Sequence, residues 1–213
     1  MDSKMEYNEK QRAIIDSAEK LFSDSGFDGT SVRDIANDAG VNVAMISYYF
    51  GSKEKLMEAV FEHKTNKLRL KVETMLQNEA ISPLQKINIL IDEYVDKFIE
   101  QKKFHIIMMR EQLIEKKTPV FKMIQELKKR NLESVKLLIH DGQKKGVFKK
   151  NIDVPMIMAT LVGTVSQMVS SQHYYREVNG MEDVDEVEFR KHISKKLSIH
   201  LKKLFKALLT YEA

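Results

Sequence analysis

The chain has 213 residues, eight glycines, three prolines, no cysteine and a formal net charge of +4. The absence of cysteine excludes disulfides, thiolate metal sites and cysteine nucleophiles. Glycine and proline are few and helix-forming residues are many, which predicts an all-α protein. The N-terminus has no apolar run, and no apolar stretch reaches the about 18–20 residues that cross a bilayer, so we expect a cytoplasmic protein without a membrane span.

The first predicted helix runs from about Glu9 to Ser25. Its apolar residues recur at helical spacing and form one stripe: Ile14, Ile15, Ala18, Leu21 and Phe22. Gly26 and Gly29 bracket Phe27 in the turn that follows, and we expect the Phe27 ring to plug a small core.

The stretch from Thr30 to Lys53 reads as two short helices joined by a tight turn. Ser31 and Asp34 have the spacing of a capping box at the start of the first helix. Gly40 ends that helix, and Asn42 caps the next one. This arrangement predicts a helix-turn-helix unit.

The second helix of this unit is expected to turn Ile46 and Phe50 inward as anchors. The intervening residues then point outward: Val43, Ala44, Ser47 and Tyr48. Apolar side chains can read thymine methyl groups but cannot make bidentate hydrogen bonds to bases. We therefore expect modest selectivity for each base position.

These residues resemble the TetR/AcrR family of bacterial transcriptional regulators. The resemblance covers about the first quarter of the chain at fixed spacing: Thr30, Ser31, Val32, Arg33, Asp34, Ile35, Ala36, Ala39, Gly40, Val41, Asn42, Ile46, Tyr49, Phe50, Ser52, Lys53, Glu54 and Leu56. The chain departs from the family pattern with Asn42 for Ser, Ala44 for Gly, Ser47 for Tyr and Tyr49 for His. The binding sequence of a relative is therefore not transferable.

The resemblance implies a set of DNA-binding residues: Thr30, Ser31, Arg33, Asn42, Val43, Ala44, Met45, Ser47, Tyr48, Tyr49 and Lys53. Arg33 is expected to contact a base or a phosphate; the alternative is a solvated side chain or a partner for Asp34 or Asp38. The positive charge of Lys53 is mismatched with a helix N-terminus, which favours a phosphate contact. Thr30 and Ser31 are expected to offer hydroxyls to phosphates.

Charge alone does not support a nucleic-acid partner. Residues 1–50 carry five basic and nine acidic side chains, and the excess of positive charge lies further along the chain. The helix-turn-helix prediction therefore depends on the residue pattern, and we expect weak non-specific binding to DNA.

Six further helices are predicted, which makes nine in total. Their approximate bounds are Lys53–Asn78, Pro83–Glu100, Phe104–Lys116, Pro119–Asp141, Pro155–Val178 and Glu186–Leu209, with Ser82, Thr118, Asp153 and Asp185 as start signals and Gly142 and Gly146 as the end of the seventh helix. We expect a DNA-binding domain at 1–52 and a ligand-binding and dimerisation domain at 53–213. Helix 53–78 would link the two.

The family usually keeps a ligand chamber in its larger domain, and twelve methionines could line an adaptable apolar pocket. The candidate residues are Tyr94, Phe98, His105, Met108, Met109, Phe121 and Met168. Ordinary helical core is the alternative for each of them. We expect no cofactor and no metal.

Two faces of the last helices are expected to pair with a second copy as a four-helix bundle. The penultimate helix offers small residues, Ala159, Gly163 and Ser166, and the last helix an apolar stripe, Leu197, Leu201, Leu204, Phe205 and Leu208. The alternative for the last helix is a position on a membrane surface.

Together these features predict a homodimeric, ligand-responsive repressor that binds a palindromic operator in double-stranded DNA. The chain lacks a glycine-rich phosphate loop, a nucleophile elbow and zinc-ligand spacing, so we expect no enzyme activity. Two alternatives remain open: a DNA-binding protein of the same fold controlled by a protein partner, and a helical carrier of a lipophilic molecule.

Overall fold

The computed structural model of the protein describes residues 7–113 and 118–211. This part of the chain holds ten helices and no strand. They are α1 (Glu9–Ser25), α2 (Val32–Asp38), α3 (Val43–Phe50), α4 (Lys53–Gln77), α5 (Pro83–Glu100), α6 (Lys102–Leu113), α7 (Pro119–Lys144), α8 (Val154–Ser170), α9 (Gln172–Val178) and α10 (Glu186–Leu209). The all-α prediction is confirmed.

Local capping signals set where most helices begin. Ser31 and Ser82 each form the predicted capping box, with Asp34 and Gln85 respectively. The Asp185 side chain accepts from the backbone N–H groups of the residues two and three positions on. These contacts satisfy N–H groups that a helix start otherwise leaves unpaired.

The predicted end of the seventh helix is wrong. The seventh helix does not stop at Asp141 but continues to Lys144, and Gly146, with φ +70°, follows it. Gly142 lies inside the helix, where a Cβ would stand 2.1 Å from Phe148 Cδ2, so the ring contact explains the glycine at this position. The predicted end of the sixth helix at Lys116 lies outside the described residues.

The predicted eighth helix is two helices, α8 and α9, bent by 73° at Ser171. The Ser170 and Ser171 hydroxyls donate to the Gln167 carbonyl at 3.1 and 2.6 Å, and the Ser171 N–H also donates there. This competition for one carbonyl ends the helical hydrogen-bond ladder. Within the described residues, no single helix has the length and apolar composition to cross a bilayer; only this bent pair passes that test jointly.

The chain forms two compact units. The first unit comprises residues 1–67 and 103–127, and the second unit comprises residues 68–102 and 128–213. The predicted boundary after residue 52 therefore falls inside the first unit. The reason is that Leu56, Met57 and Val60 of α4 join the core of the first unit.

The core of the first unit is built around the apolar stripe of α1. Ile14, Ile15 and Phe22 are completely buried, and the Phe22 and Phe27 rings lie 5.4 Å apart. Phe27 is buried, so its predicted role as a plug is confirmed. Ile46 of α3 is also buried in this core and fixes that helix on the unit.

The core of the second unit brings α5, α8 and α10 together. It includes Leu197, Leu201 and Phe205, which are buried within their own chain. The prediction that these three residues form a dimer surface is therefore wrong. They belong to the stripe that packs on α5, flanked by hydrogen bonds from Ser194 to Asp96 and from Ser198 to Asp92, both 2.5 Å long.

The other predicted dimer residues divide between surface and core. Ala159, Gly163 and Leu208 are exposed, whereas Leu204 is partly buried against the core. Ser166 is 8% exposed. A free face therefore remains on α8 and at the end of α10, but it is narrower than the predicted one.

Candidate nucleic-acid interface

The start of α2 is held by a closed network at Ser31 and Asp34. The Ser31 backbone N–H and hydroxyl donate to the Asp34 carboxylate at 3.0 and 2.6 Å, and the Asp34 N–H donates to the Ser31 oxygen at 3.2 Å. The hydrogen bond from the Ser31 hydroxyl lowers the pKa of Asp34. Asp34 is therefore committed to the cap.

The turn between α2 and α3 depends on a glycine and an asparagine. Gly40 has φ +64°, a conformation that side chains with a Cβ rarely adopt. The Val41 N–H donates to the Ala36 carbonyl at 2.9 Å and closes the end of α2. The Asn42 side-chain oxygen accepts from the Ala44 N–H at 2.8 Å and opens α3. The predicted helix-turn-helix geometry is confirmed.

The exposed surface of α3 is made of four residues, which we call the reading face: Val43, Ala44, Ser47 and Tyr48. Val43 is 40% exposed and Tyr48 is 83% exposed, whereas Ile46 on the opposite side is 1% exposed. The Tyr48 ring meets the Tyr49 ring edge to face at 5.2 Å. Val43, Ala44, Ser47 and Tyr48 thus point outward as predicted, while Met45, Tyr49 and Phe50 are half-buried.

Thr30 does not offer the hydroxyl that the sequence predicts. Its side chain is buried, and Oγ1 donates to the Gly26 and Leu21 carbonyls at 2.8 and 3.1 Å. The Ser31 hydroxyl is likewise committed to Asp34. These two side chains shape the start of α2 and do not present a hydroxyl proton to a phosphate.

Lys53 has an internal role that its position in the sequence does not reveal. Its ammonium group donates to the Phe27 and Thr30 carbonyls at 2.9 and 3.0 Å and lies 4.4 Å above the centre of the Phe27 ring. The side chain therefore ties the α1–α2 connection to the start of α4. A phosphate contact remains a prediction. Such a contact would use the third N–H of the Lys53 ammonium group.

Replacing Lys53 with methionine tests this internal role. We expect the free energy of unfolding to fall by about 1–3 kcal/mol, because two carbonyls lose a charged donor. Lys55→Met is the matched control, since the ion pair of Lys55 with Glu58 lies on the surface and contributes at most about 1 kcal/mol. Urea unfolding followed by circular dichroism measures both variants. Equal stability of the two variants would contradict the tie.

Two ion pairs neutralise individual carboxylates in the first unit. Lys20 binds Asp38 at 2.5 Å and Lys64 binds Glu19 at 2.6 Å. The hydrogen bond from Lys20 lowers the pKa of Asp38. The first unit as a whole carries fourteen basic and fifteen acidic residues, so it is close to neutral.

Arg33 is exposed on α2 and has no ion-pair partner among residues 7–113 and 118–211. The two carboxylates that could have neutralised it, Asp34 and Asp38, are occupied by Ser31 and Lys20. The structure therefore does not show the alternative ion pair of Arg33 with Asp34 or Asp38. The guanidinium group is available to a ligand.

The candidate ligand-binding residues divide between the two units. Tyr94, Phe98 and Met168 lie in the second unit, where the first two rings stack at 6.2 Å and burial raises the pKa of Tyr94. His105, Met108, Met109 and Phe121 lie in the first unit. His105 is buried, which lowers its pKa, and Met109 is 40% exposed. Among the described residues, no group of three His, Asp or Glu side chains could hold a metal ion.

Two parts of the chain match models of one protein family. A family model described as "Bacterial regulatory proteins, tetR family" matches residues 14–60, and one described as "Tetracyclin repressor-like, C-terminal domain" matches residues 83–197. A 45-residue segment is 64% identical to the probable HTH-type transcriptional regulator YttP of Bacillus subtilis, over 21% of this chain and 22% of YttP. Over 142 residues the chain is 33% identical to the HTH-type transcriptional repressor NicS of Pseudomonas putida, covering 65% of this chain and 66% of NicS.

A solved structure shows the same fold along most of the chain. The transcriptional regulator FadR from Bacillus subtilis, in complex with stearoyl-CoA, aligns with a TM-score of 0.66 at 20% identity. The alignment covers 89% of this chain and 96% of the FadR chain. The matches to YttP and NicS span only about a fifth and about two thirds of those proteins, respectively.

Proposed function

Because the chain belongs to the TetR family of bacterial regulatory proteins, we propose that it is a transcriptional regulator: a homodimeric repressor that binds a palindromic operator and is released by a small, largely apolar ligand. The observation that carries this proposal is the reading face, an outward surface of α3 held by the Asn42 cap and the buried Ile46. A regulator of this kind needs no catalytic group and acts in the cytoplasm, where its operator lies.

The reading face lies on the second helix of the helix-turn-helix unit, which is the position of a recognition helix. In helix-turn-helix proteins the second helix lies in the major groove with its N-terminal residues at the base edges. Val43 and Ala44 occupy the first turn of α3 and are exposed there. The acidic balance of residues 1–50, which favours the alternative of a lipophilic-ligand carrier, is offset within the first unit, whose total charge is close to neutral.

A second copy is expected to cover the outward surface of α8 and α10. Ala159 and Gly163 are exposed on α8, and Met156 beside them is 61% exposed. Leu208, at the end of α10, is 42% exposed. A two-fold dimer built on these surfaces would present two reading faces to half-sites separated by about 34–36 Å, or a multiple of this distance.

The proposed ligand is small and largely apolar. FadR from Bacillus subtilis was solved with stearoyl-CoA, which has a long apolar chain. In this chain the Tyr94 and Phe98 rings stack, and Met168 packs against the same core of the second unit; the ligand is proposed to bind beside these residues. Coupling between ligand and operator is typically about 1–3 kcal/mol and is reciprocal, so operator DNA must weaken ligand binding by the same factor.

Selection of bound duplexes from a random pool at moderate salt tests the proposal. We expect enrichment of an inverted repeat, and a complex that contains two protein chains on each duplex. A screen of apolar metabolites for release of the enriched duplex then tests the ligand. A pool that shows no enrichment would contradict operator binding.

Replacing Arg33 with alanine tests its expected contact with DNA. We expect operator affinity to fall about tenfold or more, because a guanidinium contact to a base edge contributes about 1–3 kcal/mol. Preference at one base position should relax, and affinity for random duplexes should change little. Lys145→Ala removes the same charge from an ion pair with Asp141 in the second unit and serves as the control. Equal losses on operator and random DNA would refute base recognition by Arg33.

A further inference from the structure

The reading face lacks every side chain that reads bases through paired hydrogen bonds. Val43, Ala44, Ser47 and Tyr48 include no guanidinium, amide, ammonium or carboxylate group. Paired contacts of Arg or Lys to guanine, and of Asn or Gln to adenine, are therefore absent from this surface. The hydroxyls of Ser47 and Tyr48 offer single hydrogen bonds, which suit phosphates and several bases alike.

Asn42 precedes the reading face and does not fill this gap. Its side-chain oxygen accepts the Ala44 N–H at 2.8 Å as the cap of α3. Paired recognition of adenine needs both the oxygen and the nitrogen of the amide group. The cap therefore removes Asn42 from this type of contact for as long as α3 is formed.

What the first turn of α3 does offer is exposed aliphatic carbon. Val43 is 40% exposed and Ala44 is exposed beside it, and both stand at the end of the helix that approaches base edges. In the major groove, thymine alone among the four bases presents a methyl group. An aliphatic side chain gains free energy there by removing apolar surface from water.

We infer that α3 reads its operator chiefly through thymine methyl groups that pack on Val43 and Ala44. This inference rests on the proposed function and specifies it: each half-site carries thymines where the first turn of α3 meets the major groove. Arg33, which is exposed on α2, then supplies a paired hydrogen-bond contact to a purine. Tyr48 and Ser47 hold the backbone of the DNA and set the register.

Replacing thymine with deoxyuridine in the selected operator tests the inference with the unaltered protein. Deoxyuridine pairs identically and lacks only the methyl group. We expect one or two such thymines in each half-site. Replacing one of them should lower affinity about fourfold, and replacing the equivalent thymine in both half-sites should lower it about fifteenfold. Fluorescence anisotropy at one fixed salt concentration measures each duplex.

A protein variant locates the methyl-sensing surface. In Val43→Ala, replacing thymine with deoxyuridine should no longer lower affinity at one of the sensitive thymine positions, so the ratio of the two affinities there should approach one. Tyr48→Phe is the control, because it keeps the ring and removes only a hydroxyl, and its ratio should match that of the original protein. Both positions are exposed, so neither change disturbs the core.

The possible outcomes separate this inference from the proposed function. An operator that is preferred over random DNA but tolerates deoxyuridine everywhere would overturn the methyl reading and leave operator binding intact. A protein that prefers no duplex at all would overturn the proposed function itself, and the inference with it. A loss confined to one or two thymines that Val43→Ala abolishes supports both.

Discussion

An aspartate in place of Ala44 should lower operator affinity at least about a hundredfold while leaving the fold intact. Ala44 is the second residue of α3 and is exposed on the reading face. A carboxylate there would face phosphates and base edges, and like charges brought together at an interface cost several kcal/mol. In the free protein the same carboxylate sits in the first turn of a helix, where negative charge is favourable.

The measurement is anisotropy on the selected operator, with circular dichroism to verify the helical content of the variant. Asn151→Asp is the matched control, because it adds the same charge at an exposed position of the second unit. We expect the control to bind the operator within about twofold of the original protein. Similar losses in both variants would mean that net charge, and not the α3 surface, governs binding.

The second large effect is expected at Gly142, where alanine should destabilise the second unit by about 2–3 kcal/mol. A Cβ at this position would stand 2.1 Å from Cδ2 and 2.3 Å from Cε2 of Phe148. The ring is 1% exposed, and the Phe148 and Val147 N–H groups both donate to the Gly142 carbonyl, so ring and backbone cannot easily withdraw.

Urea unfolding of Gly142→Ala, Phe148→Leu and the double variant tests this contact. Leucine lacks the ring atoms that collide with the new Cβ, so the double variant should be more stable than the sum of the two single losses predicts. Such coupling is expected only for residues in direct contact. Additive losses would show that Gly142 has another role.

The local signals in the sequence predicted most of the fold. The helix starts at Ser31, Ser82 and Asp185 depend on hydrogen bonds to residues only two or three positions away, so the local sequence is sufficient to predict these starts. The outward set of α3 was predictable for the same reason, because the buried Ile46 determines which residues stand on the opposite side.

Two of the misjudged positions, Lys53 and Gly142, depend on contacts with residues outside their own helix. The carbonyls that accept from Lys53 lie twenty-three and twenty-six positions earlier, so the sequence did not reveal its internal role; its phosphate contact stays a prediction. Gly142 reads as a helix end until the Phe148 ring is placed against it.

The last helix shows the limit most clearly. α10 carries apolar residues on more than one side, and the period alone does not say which side meets the chain's own core. The structure assigns Leu197, Leu201 and Phe205 to the contact with α5, and leaves Ile199 and Leu208 exposed. The side of α10 that is buried is determined by α5, where Asp92 and Asp96 accept hydrogen bonds from Ser198 and Ser194.

The central claim is that the reading face of α3 recognises the sequence of duplex DNA. The most direct measurement is the ratio of dissociation constants for the selected operator and a scrambled duplex of equal length, at one salt concentration near 150 mM. For the original protein we predict a ratio of about a thousandfold or more, which Ala44→Asp should bring close to one. A ratio within about threefold for the original protein, or an unchanged ratio in Ala44→Asp, would contradict the account.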